Sequence, residues 1–371
     1  MPHRLRAAAF LSAVLLASCD AGERPKIAIA TNREFAEAAA LAVADAQAEW
    51  GELPGDTVVA HETLTRAAVA IENATELVAQ GLAAVIGHSN SAASLAAAPI
   101  YNEAEVVQLS PQSSAAAYSQ AGPYSFRLVP PDDQQGGFLA QSLRAMPGVK
   151  RIVVLYVNDD YGRGLRSSLL EALGSGGPQV VAEAPHLEAS TMRPEDLDLA
   201  RRVVAEADPD AVVWLGRPLI LEQHLPVLLP VLGERPIIGS DAIALADRYG
   251  DYSIWNTVWY VDFVDMGATP ALIDFNRRFA ERFGRHASGP DALTYDATRL
   301  LLTALREGAT DGPAIRRWLE SLGRTRPAYE GLTGPVRFDA DGDVERSYVL
   351  RRFTPSSAPP RPLPQPVEED Q

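Results

Sequence analysis

The sequence predicts an α/β fold built from doubly wound parallel sheets. Short apolar runs typical of β-strands alternate along the chain with longer segments of helical character. Several of these runs are apolar throughout, as expected for strands that helices cover on both faces. With 371 residues, the chain is long enough for two domains with well-buried cores.

The elements follow from hydrophobic periodicity and from the residues that begin and end helices. Gly81 and Gly284 stand at predicted helix C-termini, and Pro194 and Pro270 stand near predicted helix starts, where these residues are favoured. The predicted strands are 26–30, 57–60, 83–87, 106–110, 151–157, 179–184, 211–216, 236–240 and 257–263. The predicted helices are 34–50, 65–80, 91–104, 135–146, 163–173, 195–207, 219–232, 270–284, 290–308 and 312–322.

The first residues have the layout of an export signal. A basic segment precedes a short apolar run and then "LASC", which ends in Cys19, the single cysteine of the chain. This ending resembles the lipobox of bacterial lipoproteins, which implies cleavage after residues 1–18 and lipid attachment to Cys19. Asp20 resembles a signal that retains lipoproteins at the inner membrane, which implies a periplasmic, inner-membrane location. An ordinary secretory signal followed by an incidental cysteine is the alternative.

Both ends of the mature chain are predicted to lie outside the folded body. Residues 19–25 form a short tether, and residues 354–371 form a Pro-rich acidic tail without apolar periodicity, which predicts disorder. Because the only cysteine is Cys19, no disulfide can stabilise the body.

Charge and composition exclude several classes of partner. The net charge of −15 argues against nucleic acid and anionic membrane surfaces, because both are polyanions. Cysteine and histidine do not cluster as metal ligands, and no intact nucleotide-binding motif is present, so we expect neither a metal nor a cofactor.

Small polar residues follow two of the apolar runs. Ser89, Asn90 and Ser91 come after strand 83–87, and Ser110, Ser113 and Ser114 end or follow strand 106–110. Ligands of open parallel sheets bind at the carboxyl ends of the strands, so this position favours a ligand-binding role. A nucleophile, a phosphate site, an amino-acid site and helix capping are all compatible with the pattern itself.

Chemical motifs reduce these alternatives. "GHSNS" has Ser91 where the nucleophile elbow of a serine hydrolase needs a second glycine. "GRGLRS" lacks the third glycine of a dinucleotide loop, and the acidic segment 339–349 fits a β-turn between 335–338 and 347–353 better than a calcium loop. One interpretation that remains is a carboxylate-binding site at the start of helix 91–104. The simpler alternative is that Ser91 is only the N-cap of this helix.

Longer segments resemble a known family, from about Lys26 to Phe353. The chain is similar to the type I periplasmic solute-binding proteins of ABC transporters, specifically the Leu/Ile/Val-binding group. The resemblance implies two α/β lobes joined by three hinge crossings, with lobe one at 24–130 plus 262–333 and lobe two at 131–261 plus 334–353. The matching segments are "VIGHSNSAASLAAAPIYNEAEVVQLSPQSS", "FRLVPPDDQQG", "VLYVNDDYGRGL", "PDAVVWLG", "PIIGSDAI", "FNRRFAERFGRHASGPDALTYDATRLLLTAL" and "YEGLTGPVRFDADGDV".

The resemblance also implies a binding site. Ser91 and Ser114, with main-chain groups of Gln112, would hold the α-carboxylate of a ligand, Tyr161 would line the cleft, and Asp241 would accept the ammonium. Such a clamp binds a zwitterion and favours lobe closure. Ser89 and Asn90 are further candidates at the first strand end.

This sequence departs from the family pattern at two places. The loop after the first strand is abbreviated and lacks the Gly-rich signature of relatives, and Arg33 and Arg217 stand at strand ends. Arginines facing the cleft would indicate a ligand with an extra negative group.

Two functions therefore remain open. One is a non-enzymatic lipoprotein that delivers an amino acid or similar small polar metabolite to a membrane ABC permease. The other is a ligand-sensing or regulatory envelope lipoprotein of the same fold, not coupled to transport.

Overall fold

The computed structural model describes residues 24–61, 66–187, 193–248, 255 and 257–353. The predicted signal, Cys19, most of the tether and the Pro-rich tail lie outside the described residues. No helix in the described part of the chain combines the length and apolar character needed to cross a bilayer.

The described elements alternate between strand and helix. The strands are β1 (Lys26–Thr31), β2 (Asp56–His61), β3 (Leu82–Gly87), β4 (Val107–Ser110), β5 (Ser125–Arg127), β6 (Arg151–Val157), β7 (Gln179–His186), β8 (Ala211–Leu215), β9 (Ile237–Gly239), β10 (Val258–Asp262), β11 (Tyr329–Gly331), β12 (Gly334–Val336) and β13 (Val349–Arg352). The α-helices are α1 (Arg33–Trp50), α2 (Ala67–Val78), α3 (Ser91–Glu103), α4 (Asp132–Ala145), α5 (Asp160–Leu173), α6 (Pro194–Ala207), α7 (Pro218–Leu232), α8 (Pro270–Phe283), α9 (Gly289–Arg306) and α10 (Gly312–Ser321). Two 3₁₀ helices span Ala116–Gln120 and Asp241–Arg248.

The α/β fold class is confirmed, and the predicted strands and helices recur within a few residues of their predicted ends. The predicted strands omitted β5 and β11, whereas β12 overlaps the segment 335–338 that was expected beside the acidic turn. Each contains three residues, too few for a periodic pattern.

The first sheet has the order β2-β1-β3-β4-β5, and all of its neighbouring strands are parallel. Its core joins Ile27 and Ile86 of the sheet to Leu300 and Leu301 of α9. Because helices cover this sheet, β3 and β4 are buried along their whole length, which explains their continuous apolar sequence.

The second sheet has the order β13-β10-β9-β8-β6-β7. All pairs are parallel except β10 and β13, which run antiparallel with Tyr260 opposite Arg351. A parallel sheet with one antiparallel edge strand is a common form of the doubly wound fold.

The chain passes between the two sheets three times. It leaves the first sheet after β5, returns after β10 to supply α8, α9 and α10, and ends in the second sheet as β13. Val336, Phe338 and Val344 pack in the core of the first lobe, where Phe338 meets Phe126 edge to face at 5.1 Å between ring centroids. The last crossing therefore lies after Val344, later than the predicted boundary at residue 334.

The acidic segment that follows β12 forms a turn, as predicted, but not between the strands that we expected. Phe338 and Val344 form a single antiparallel bridge around it. β12 pairs with β11, and β13 pairs with β10, so 335–338 and 347–353 do not form one hairpin. The crossing between the lobes separates the two segments.

A cluster of aromatic and imidazole rings lies in the core of the second lobe. His186 stacks on Trp214 at 4.3 Å and an interplanar angle of 11°, with the His224 ring 5.8 Å from that of His186. Both ring nitrogens of His186 are buried and have no hydrogen-bond partner among the residues that the structure describes. Burial and the neighbouring His224 lower the pKa of His186 to about 3.

We predict that His186 makes the protein sensitive to acid. Its folded-state pKa lies below the unfolded value of about 6.5, so the unfolded chain binds more protons as pH falls, and the free energy of unfolding decreases from about pH 6.5 towards pH 3. Urea unfolding should show that the wild type loses about 2 kcal/mol more than His186→Phe between pH 7.5 and pH 5.

His286 provides the matched control for this measurement, because its side chain is exposed. His286→Gln should keep the pH dependence of the wild type. Parallel pH profiles for wild type and His186→Phe would contradict the assignment.

Candidate functional site

The turn after β3 brings Ser89, Asn90 and Ser91 to the carboxyl edge of the first sheet. A Cβ on Gly87, whose φ is +147°, would lie 2.1 Å from the Ala30 carbonyl oxygen, so only glycine allows β1 and β3 to approach here. The N-cap of α3 is Asn90, whose side chain accepts a hydrogen bond from the Ala93 N–H at 2.9 Å. The interpretation of Ser91 as the N-cap was therefore wrong.

Because Asn90 supplies the cap, the two serines beside it have other contacts. Ser91 is 3% exposed, and its hydroxyl accepts the Ala115 N–H at 3.1 Å. Ser89 accepts the Asn32 N–H, just beyond β1, at 2.7 Å. Together these serines tie the turn after β3 to the loop after β4 and to the end of β1.

The loop after β4 is held by its own serines. Ser110 Oγ accepts the Ser113 N–H at 3.0 Å, and Ser113 Oγ lies 2.7 Å from Ser94 Oγ of α3. The half-buried Gln112 donates from Nε2 to Thr294 of α9 at 3.4 Å. Ser114 is 1% exposed, and its carbonyl accepts the Asp132 N–H at 2.7 Å, so it links this loop to the first crossing.

A buried arginine supports the same loop from behind. Arg127 is fully buried and forms a bidentate pair with Asp343, at 2.6 Å from Nε and 2.9 Å from Nη2. Its Nη1 donates to the carbonyls of Ser113 and Ala115 at 3.4 and 2.8 Å. Arg127 therefore fixes the residues on both sides of Ser114.

The second lobe contributes Tyr161 and Asp241. The Tyr161 hydroxyl donates to Asp241 Oδ1 at 2.7 Å, and the Asp241 N–H donates to Gln135 Oε1 at 3.0 Å. Burial raises the pKa of Asp241, an effect opposed by its hydrogen bonds to Tyr161 and Gln135. Burial and the carboxylates of Asp241 and Asp132 raise the pKa of Tyr161 well above its usual range, so the phenol stays neutral and donates.

The two arginines at strand ends differ in their surroundings. Arg33 begins α1 with an exposed side chain. Arg217 is half-buried, pairs with Asp159 at 3.0 Å and lies 5.9 Å over the Tyr161 ring. Of the two, Arg217 is the one that contacts the predicted site, and its charge is balanced by a carboxylate.

The two halves of the predicted site belong to elements that meet between the lobes. Helix α5, which carries Tyr161, lies against α3 and the 3₁₀ helix Ala116–Gln120. Helix α9 lies against the 3₁₀ helix Asp241–Arg248. Hydroxyl and N–H donors thus stand on one lobe and a carboxylate on the other, which is an arrangement that binds a dipolar ligand.

Several residues of this region were not singled out from the sequence. Asp132, Gln135 and Arg127 all lie in the quoted segment "FRLVPPDDQQG", which was used only as a family signature. The adjacent charged and amide residues after Pro131 were a signal that could have been followed. No group of three or more histidine, cysteine or acidic side chains in the described ranges is arranged to hold a metal ion.

Comparisons with known proteins identify the family of this chain. Residues 34–227 match the family model described as "Receptor family ligand binding region". The leucine-specific-binding protein of Salmonella typhimurium is 29% identical over 318 residues, covering 82% of this chain and 81% of the relative. An amino acid binding protein of Pseudomonas aeruginosa is 26% identical over 295 residues, covering 76% and 74%.

A solved structure extends the likeness to the fold. An ABC transporter substrate-binding protein from Desulfitobacterium hafniense, in complex with Leu, has a TM-score of 0.73 and 26% identity. The match covers 90% of this chain and 98% of that chain.

We predict that the pair between Arg127 and Asp343 is a large stabilising contact of the site. Asp343→Ala would leave the buried guanidinium unpaired, and we expect a loss of about 3 kcal/mol or more in the free energy of unfolding, measured in urea. Glu345→Ala is the control, because the pair between Arg337 and Glu345 is exposed, with side chains 59% and 65% accessible. It should cost less than about 1 kcal/mol. Equal losses in the two variants would contradict the role of the buried pair.

Proposed function

This chain belongs to the family of the receptor ligand-binding region, among the type I periplasmic binding proteins of the Leu/Ile/Val-binding group, and from that premise we propose that it captures an amino acid or similar small polar metabolite between its lobes. Its relatives are amino-acid-binding proteins, and several are named for leucine. We propose that the captured ligand is then delivered to an ABC permease of the inner membrane.

The observation that carries the proposal is the opposite chemistry of the two lobes. Ser91 and Ser114 lie at strand ends of the first lobe, where hydroxyls and N–H groups suit a carboxylate. Asp241 lies in the second lobe, partly exposed, with Oδ1 held by Tyr161. A zwitterion needs both partners at once, so binding would stabilise the closed arrangement of the lobes.

Attachment to the membrane is a separate part of the proposal. The sequence around Cys19 supports a lipid anchor, and the tether would hold the folded body close to the membrane that contains the permease. We propose an inner-membrane position for this anchor, on the basis of Asp20.

A sensing role is the second candidate, and the short connection between β1 and α1 supports it. β1 ends at Thr31 and α1 begins at Arg33, so Asn32 alone connects them. The wall that a longer loop would add to the cleft is missing, which favours a ligand different from those of the relatives. The acidic Pro-rich tail offers a segment for an envelope partner.

We predict that at least one of the twenty amino acids raises the melting temperature and binds in calorimetry. Asp241→Asn should weaken the binding of that ligand by about 30-fold or more, because the cationic group loses its carboxylate partner, at a cost of about 2 kcal/mol or more. Asp160→Asn is the control, because Asp160 begins the helix of Tyr161 but is exposed and pairs with Arg163. Unchanged affinity in Asp241→Asn would contradict the assigned polarity of the site.

We predict that Cys19→Ala releases the protein from membranes. In bacterial cells, the wild type should fractionate with the membrane and incorporate labelled fatty acid, whereas the variant should do neither. A wild-type protein without lipid, cleaved at another residue, would support the ordinary secretory signal instead.

A further inference from the structure

A cavity of about 40 Å³ lies in the second lobe, beside β7, β8, α6 and α7, and the proposed function does not use it. The rings of His186, Trp214 and His224 form part of its wall. Leu187 and Leu199 also line it and have exposed side chains, so the cavity lies next to the protein surface. Its volume is about three times the space that one buried water needs.

The three rings carry nitrogen atoms that the fold leaves unused. His186 is 7% exposed, and Trp214 and His224 are fully buried. Both ring nitrogens of His186, Nε1 of Trp214 and Nε2 of His224 have no hydrogen-bond partner among the described residues. Buried polar groups are nearly always paired, because an unpaired group has lost its water and gained nothing in return. Such nitrogens on three side chains that line one cavity indicate an occupant that would pair with them.

These nitrogens offer both donors and acceptors. His224 Nδ1 lies 2.8 Å from the carbonyl oxygen of Ile220, which can only accept, so Nδ1 carries the hydrogen and Nε2 is an acceptor. The indole nitrogen of Trp214 is a donor. Burial lowers the pKa of both histidines, that of His186 to about 3, so both rings are neutral near pH 7. A neutral His186 ring adds one donor and one acceptor.

The surroundings of the cavity do not suit a charged occupant. Among the described residues that line it, the one charged side chain is Asp196, whose two carboxylate oxygens accept from Arg193 at 2.8 and 2.9 Å. A buried ion without an opposite charge is costly. Within the described ranges, no third histidine, cysteine or acidic side chain joins the two histidines in an arrangement that could hold a metal ion. The wall therefore fits a neutral molecule.

Gly216, at the end of β8, lies against two of these rings. A Cβ on Gly216 would lie 2.7 Å from Cε1 and Nε2 of His186 and 3.1 Å from Nε1 of Trp214, so this close approach requires a glycine. The next residue, Arg217, lies over the Tyr161 ring at the candidate site. The cavity is thus a neighbour of the candidate site along the chain, although none of its described lining residues belongs to that site.

We propose that this cavity is a second ligand site, separate from the cleft, which takes a small neutral molecule that carries both a hydrogen-bond donor and an acceptor, as a primary amide does. The amide N–H would donate to His224 Nε2, and the amide carbonyl would accept from Trp214 Nε1. His186 supplies a further donor and a further acceptor, and the carbon atoms of the ligand would lie against Leu187 and Leu199. The volume limits the bound part of the ligand to a few non-hydrogen atoms. This site goes beyond the proposed function and does not depend on it.

NMR titration of the full-length protein tests the site. The probes are acetamide, acetate and acetamidinium, which have nearly the same shape but are neutral, anionic and cationic. Acetamide should shift the indole N–H signal of Trp214 to saturation, with the millimolar dissociation constant expected of so small a ligand, whereas the signals of the other tryptophans stay in place. Acetate and acetamidinium should give no saturable shift. Trp214→Phe identifies the signal by its loss.

Variants test which side chains hold the probe. His224→Phe keeps a ring at this position but removes the acceptor, so it should weaken the binding of acetamide by about fivefold or more. His286→Gln is the control, because His286 is exposed, and it should bind acetamide as the wild type does. If His224→Phe does not fold, a crystal structure of the wild type grown in acetamide decides the matter, with density for acetamide at His224 and Trp214 as the expected result.

Each contrary result overturns a defined part of the proposal. Ordered water alone in the cavity, or the absence of a saturable shift with acetamide, overturns the site. Binding of acetate or acetamidinium in preference to acetamide overturns the neutral class of ligand. Equal affinity for acetamide in the wild type and His224→Phe overturns the assigned contact. All of these results leave the proposed function of the cleft standing.

Discussion

The buried guanidinium of Arg127 is the contact on which the candidate site depends. It joins β5 to Asp343, which lies just before the third crossing, and it holds the carbonyls of Ser113 and Ala115 on either side of Ser114. An arginine can do this because its planar group offers five donors in fixed directions. The loop that faces the cleft is therefore positioned by residues far apart in sequence.

The division of charge between the lobes follows from the same architecture. In the first lobe, hydroxyls and N–H groups gather at the carboxyl ends of parallel strands, where helix N-termini also lie. In the second lobe, carboxylates gather near the crossing and the 3₁₀ helix after β9, with tyrosines as neutral donors. A dipolar ligand would complete both, which gives closure a physical reason.

Much of the fold could be predicted from the sequence, because strands covered on both faces are apolar throughout and their helices carry clear start and stop residues. Arg151–Val157 was predicted to the residue. The short strands could not be located, because three-residue strands have no measurable period. The third crossing could not be located either, because the path of the chain at Phe338 depends on the packing of this side chain against Phe126. Strand-end position singled out Ser91 and Ser114, whereas Arg127 could not be recognised, because its role arises from partners distant in the chain.

A crystal structure of the protein with the ligand that remains bound through purification is the most direct test of the account. The account predicts density between the lobes, with an anionic group within hydrogen-bonding distance of Ser91 or Ser114 and a cationic nitrogen at Asp241. A ligand bound in the opposite orientation, with its anionic group on Arg217, or bound outside the cleft, would contradict it.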